Sequence, residues 1–381
     1  MINTELFEAT KIYKIKMLIQ RHIENMKPLV GLNSIKTQKI IHKLLEELVV
    51  RVPTLGDLEK SNVLKIRLYR PGQHKVKGTE GLVQKLIISR YGERSPYLTF
   101  KLEEEKGDEV LVTIRAGKKS TKLAVKADPR VKLLWTHAQV RHLDITDEEE
   151  FVVDRNFILR ESLLRPIFSG QDINGAMLDL KVAYQDFSSY VLLSRRVRLT
   201  SPNTYWLAFF SNNKTLGVQL PNIILDDTVL SKILTLYLNS SIALLQLLAF
   251  VSEVEGAWVS IDHKRVWSHL HVPNLCSIPD KLKKEAIELF DKIGKTEPKC
   301  LFERLKTRDG LQREIDKIAL KLVGMEHLGT RLDEIYDAIV DELMAMQKIM
   351  EDIRQRKRDK NAKKKKAKKK SRQGTLFDFL V

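Results

Sequence analysis

The chain has 381 residues, 43% of them hydrophobic, enough to bury one large or two modest cores. Its formal charge is +17, but residues 354–372 alone hold thirteen Lys/Arg against one Asp, so the part before Arg354 is only mildly basic. No apolar run reaches membrane-spanning length, no secretory or lipidation signal is expected at either end, and two distant cysteines exclude a disulfide scaffold or a cysteine zinc site.

In chain order, residues 1–59 read as helical. Apolar residues recur at three- and four-residue steps through Ile12, Ile15, Met17, Leu18 and Ile23, then through Ile40, Ile41, Leu44, Leu45 and Leu48. Residues 60–150 read as a β-rich mixed unit. Val63–Arg70 alternates apolar and basic residues before the Pro71-Gly72 turn, and short strand-like runs follow at 86–88, 97–102, 110–114 and 123–125. The acidic run Asp147-Glu148-Glu149-Glu150 reads as a solvated loop, because consecutive carboxylates repel and alternate faces on a strand. Residues 151–280 mix strands and helices. Ser188–Leu199 and Trp206–Phe210 read as extended, and Asp227–Phe250 as one long apolar helix. Asn239-Ser240-Ser241 favours helix capping over ligand contact, the tryptophans read as core, and Cys276 and Cys300 as buried thiols. Residues 281–353 are helical again. Residues 354–372 form a Lys-rich linker that cannot bury apolar surface and is expected to be disordered. The fold class is therefore α/β in the mixed α+β sense.

The last segment, 373–381, carries Gln373, Leu376, Phe379 and Leu380 in the order Gln, two spacers, an aliphatic, two spacers and two large apolar residues. One helical turn puts Leu376, Phe379 and Leu380 on a single face, where they can fill one apolar pocket together. This pattern resembles the peptide by which many archaeal and eukaryotic proteins dock on the sliding clamp, proliferating cell nuclear antigen. Leu380 stands where that family usually has a second aromatic. The basic linker before it, including Lys363, Lys364, Lys365, Lys366, Lys368, Lys369 and Lys370, is suited to DNA phosphates through counterion release.

Between about Arg155 and Pro273 the chain resembles the target-recognition region of N6-adenine DNA methyltransferases of the type IIG restriction–modification kind. The resemblance rests on Leu164–Ile173, Leu193–Thr204, Leu238–Gln246, and Glu255–Val259 followed by Val272-Pro273; Arg313–Asp316, Leu322–Gly324 and Leu332–Tyr336 are similar to that family's helical tail. On an extended segment Arg196 and Arg198 share a face, and with Arg195 they are the expected contacts to phosphates or guanine edges. A solvated edge strand guarded by charge is the other reading of these arginines.

The catalytic half is missing. No Gly-rich loop for S-adenosylmethionine follows a strand, and no Asp/Asn/Ser-Pro-Pro-aromatic turn is present; Ser201-Pro202-Asn203 has the wrong spacing. The catalytic residues are thus unknown, and neither cofactor nor metal is expected. The resemblance implies a non-catalytic DNA-binding protein tethered to the clamp, with double-stranded DNA and the clamp as partners. A separate methyltransferase catalytic subunit is a third possible partner, and a nucleoid-associated cytoplasmic location in an archaeal cell is implied. A clamp-associated nuclease, or another replication or repair enzyme with an unrecognised site, is the alternative.

Overall fold

The computed structural model describes residues 34–348 except 74–75, 92–98, 107–108, 117–118, 163, 251, 255–257, 262–265 and 346, together with 351–352, 355–356 and 358. The expected helix through Ile12–Ile23, most of the Lys-rich linker and the terminal peptide lie outside these residues.

Helix α1 (Ser34–Arg51) forms where the apolar period is 3.6: Ile41, Leu44, Leu45, Leu48 and Val49 share its buried stripe. Helix α2 (Leu55–Lys60) is nucleated by a capping box in which Thr54 and Asp57 satisfy each other's backbone N–H groups. It lies so close to the 3-10 turn Trp267–His269 that a Cβ on Gly56 would stand 2.8 Å from the Ser268 carbonyl oxygen. Strand β1 (Lys65–Leu68) follows, then α3 (Glu80–Leu86). The link between them is fixed by buried Asp179, which accepts hydrogen bonds from Tyr69 Oη at 2.8 Å, Val76 N at 3.1 Å and Gly72 N at 3.2 Å.

Strands β2 (Ile87–Ser89), β3 (Thr99–Lys106), β4 (Glu109–Ala116), β5 (Lys119–Leu134) and β6 (Glu150–Val153) form a small barrel. The ladder runs β5-β4-β3-β2-β6, and β6 pairs again with β5 at Ala127–Val153 and Asp128–Val152, so the five strands close on themselves. Its interior holds Ile88, Phe100, Val112, Ile114, Val125 and Val152, all buried. Helices α4 (Arg155–Arg160), α5 (Arg165–Phe168) and α6 (Ile173–Phe187) add Ile158, Phe168, Met177 and Leu180 to the same cluster.

The sixteen-residue strand β5 leaves the barrel and pairs in parallel with β9 (Ala208–Gly217), Leu133 opposite Leu216. Beyond β9 the sheet continues antiparallel through β7 (Ser189–Leu193), β10 (Pro221–Ile224) and β1. Among the described residues nine strands thus form one sheet, with strands from both sides of position 150 in it, and the architecture is mixed α and β.

Residues 227–250 form two helices rather than the single one expected. Helices α7 (Thr228–Leu238) and α8 (Ser241–Phe250) meet at 67°. The break falls where three polar residues serve other partners. Asn239 accepts from Leu207 N at 2.7 Å and donates to Ala208 O and Thr235 O, both at 2.9 Å, so its amide completes the edge of β9. Ser240 Oγ caps the Ala243 N–H at 3.2 Å. Ser241 N and Oγ bond buried Asp316 at 2.6 and 2.7 Å. Asp316 lies on α11 (Gly310–Leu322), which with α9 (Asp280–Ile293), α10 (Leu301–Lys306) and α12 (residues 332–345) forms the helical C-terminal layer. The α1 helix docks on this layer, with Glu47 3.0 Å from His327 Nε2 and Arg51 donating to Gly324 O at 3.1 Å.

Two further expectations are corrected. Cys276 is exposed, because it sits in the short turn Leu275–Ser277, while Cys300 is buried. The second half of the acidic run is not solvated: Asp147 is exposed and Glu148 half-buried, but Glu149 and Glu150 are 1% and 0% exposed. Neighbours remote in sequence neutralise the repulsion. Glu150 accepts from Ser89 Oγ at 2.8 Å and Trp135 N at 2.6 Å, and Glu149 binds Ser211 Oγ at 2.5 Å and Asn213 Nδ2 at 3.0 Å. Glu148 holds His142 Nδ1 at 2.7 Å and Lys295 at 3.2 Å. The run ties the start of β6 to β2, to the end of β5 and to β9, and through Glu148 to His142 and Lys295.

Candidate nucleic-acid interface

The arginine segment begins where β7 leaves the large sheet. Ser194 N still bonds Leu207 O at 2.8 Å, and its carbonyl accepts the Trp267 indole N–H at 3.1 Å. The chain then turns into β8 (Arg196–Val197), which pairs with β12 (Trp258–Ser260) in a separate three-stranded sheet completed by β11 (Ser252–Val254). Arg195 O accepts from Ile261 N at 2.7 Å and extends that ladder by one bond.

Burial alternates along this segment. Val197 and Leu199 are buried, Arg196 is exposed, and Arg195 and Arg198 are half-buried. Arg196 and Arg198 therefore stand on the side away from the core, as a period of two requires. A turn holds the segment's far end: Arg198 O accepts from Ser201 N at 2.9 Å and from Thr204 Oγ1 at 3.0 Å. Arg198 Nε is buried and has no hydrogen-bond partner among the described residues. A guanidinium N–H buried without an acceptor costs stability rather than contributing to it.

The aromatic residues near this segment serve the core. Trp206 and Trp267 are each 0% exposed, and of Trp258 only the backbone is described. The Trp206 ring is covered by buried Arg304, whose guanidinium carbon lies 4.1 Å from the ring centre. Arg304 donates to Tyr205 O at 2.8 Å, and burial pulls its guanidinium down to about 10. Both indoles are thus structural supports under the arginine segment and are unavailable for base stacking.

Among the described residues no group of three or more His, Cys, Asp or Glu is placed to hold a metal. No single described helix is long and apolar enough to cross a membrane. Of the expected contacts, Arg195, Arg196 and Arg198 fall within one short stretch, with Arg196 exposed and Arg195 and Arg198 half-buried. Lys363–Lys366, Lys368–Lys370, Gln373, Leu376, Phe379 and Leu380 lie outside the described residues. One basic surface escaped the sequence reading: Lys101, Arg115 and Lys122 stand exposed on the barrel.

No protein family defined by sequence matches the chain, and no curated protein matches it. Its fold is similar to that of the type IIG restriction endonuclease BpuSI. The TM-score is 0.52 at 15% identity, over 86% of this chain and 35% of that one. The chain spans about a third of that enzyme's length. At this identity the likeness is one of fold alone.

Proposed function

We propose that the protein is a DNA-binding target-recognition protein that reads duplex DNA through the Arg195–Arg198 segment and is held at a sliding clamp by residues 373–381. The observation that carries this reading is the fold similarity to a type IIG restriction endonuclease over most of the chain. The exposed Arg196, with Arg198 beside it, supplies the chemistry that phosphates and guanine edges require.

The chain acts without a methyl-transfer centre of its own, either beside a separate catalytic subunit or as a clamp-bound factor in replication or repair. Two weak contacts suffice. Clamp docking raises the effective concentration of the recognition segment at DNA, and the linker's lysines add a sequence-independent attraction to phosphates. The nuclease alternative draws no support from the acidic run, since both Glu150 oxygens and Glu149 Oε1 accept hydrogen bonds within the fold and Glu149 Oε2 faces Lys132 at 3.8 Å.

Two substitutions test the two halves. Leu376→Ala with Phe379→Ala is expected to abolish capture by the purified clamp while leaving duplex affinity unchanged. Arg195→Gln with Arg196→Gln and Arg198→Gln is expected to weaken duplex binding by about tenfold or more, at about 1–3 kcal/mol per specific contact. Clamp capture surviving the first change refutes the docking peptide, and duplex affinity surviving the second refutes the recognition segment.

A further inference from the structure

The outer face of the barrel carries a patch that the arginine segment does not include. Along β4 the buried residues are Val110, Val112 and Ile114, so Leu111, Thr113 and Arg115 point outward. The register then sets their neighbours. Lys101 on β3 and Lys122 on β5 flank Thr113 in one row, and Arg115 stands in the next row opposite Ser120. Lys101, Arg115 and Lys122 are all exposed. Glu104, Glu105 and Glu109 lie toward the opposite end of the same strands, while Glu103 stands beside the patch and pairs with Lys101 at 3.7 Å. Over residues 119–125, β5 has β4 on one side and no strand on the other among the described residues.

We infer that this face is a second DNA-backbone surface, which grips phosphates of B-form duplex outside the sequence that the arginine segment reads. The inference rests on the proposed DNA recognition and extends it. Lys101 and Lys122 are two strand spacings apart, about 10 Å, with Arg115 about 7 Å along the strand. A duplex lying over 10 Å of this patch presents about six phosphate charges, so three cations on a rigid ladder meet more than enough acceptors. Because barrel strands hold them, they pay less ordering entropy than a flexible lysine arm.

The test uses the full chain and a fluorescent duplex, titrated by anisotropy across a series of KCl concentrations. Lys101→Gln with Arg115→Gln and Lys122→Gln should leave the melting temperature unchanged, because all three side chains are exposed. The slope of log affinity against log salt should become shallower by about 0.9 per lost contact, hence between about 2 and 3. The loss should be equal for any duplex sequence. A slope and affinity equal to those of the unsubstituted chain would overturn the inference. So would self-association of the variant with unchanged DNA affinity, which would make these residues guards of the open β5 edge. Run in parallel, Arg195→Gln/Arg196→Gln/Arg198→Gln separates the two claims. If only the arginine variant loses binding, the barrel surface falls and the recognition reading stands. If only the barrel variant does, the reverse holds.

Discussion

Asp316 and Asp128 show how the same side chain contributes to stability with opposite pH dependence. Burial holds the Asp316 carboxyl above its ordinary value, against the hydrogen bonds from Ser241, Tyr336 and Gln312. A raised folded value means its contribution is full below the unfolded value and is lost as pH rises through the folded one. Asp128 is the reverse. The Arg130 side chain, bonded at 2.9 Å through both Nε and Nη2, holds it below the carboxylate range. Its contribution is present above the ordinary value and is lost as pH falls. Denaturation therefore separates the two in different windows, Asp128 below about pH 5 and Asp316 above about pH 4. Asp316→Asn should gain on the unsubstituted chain as pH rises, and Asp128→Asn should fall further behind it. Parallel stability profiles for either variant would contradict the assignment. These residues also mark a limit of the sequence. Asn239-Ser240-Ser241 was legible as a cap, but Asp316, 75 residues away, was not legible as its partner.

The element scale shows what periodicity can and cannot give. The α1 stripe and the alternation through Val197 follow from single-segment patterns, and both appear as expected in the fold. The break between α7 and α8 was hidden, because apolar residues continue on both sides while the decisive bonds go to β9 and α11. The burial of Glu149 and Glu150 was likewise hidden, since their partners at Ser89, Trp135 and Ser211 come from three other strands or their ends. Closure of the barrel was equally invisible: it depends on β6 pairing with both β2 and β5. One element contact makes a sharp mechanical prediction. Gly56→Ala places a methyl 2.8 Å from the Ser268 carbonyl, a backbone atom that cannot swing away. Chemical denaturation should show a loss of about 1–3 kcal/mol, the usual cost of overpacking. A loss below the precision of the curve would mean that α2 and the Trp267–His269 turn can part freely.

For the molecule as a whole, the long strand β5 belongs to both the barrel and the larger sheet, so the barrel's basic face and the proposed recognition segment are parts of one fold. Recognition of a particular sequence, rather than attraction to any polyanion, is what separates the proposed role from that of a basic protein with a lysine-rich tail. Charge alone gives binding that collapses with salt and ignores sequence. Base contacts give a preference of about 10³-fold or more for the right site, with about 1–3 kcal/mol lost per wrong base pair. The direct measurement is selection by the full chain from a pool of randomised duplexes at physiological salt, followed by competition between the enriched and unselected pools. Convergence on one short sequence, bound at least about a thousandfold more tightly than the pool and lost with Arg195→Gln/Arg196→Gln/Arg198→Gln, is the predicted result. A pool that never converges, bound equally by the arginine variant, would contradict target recognition.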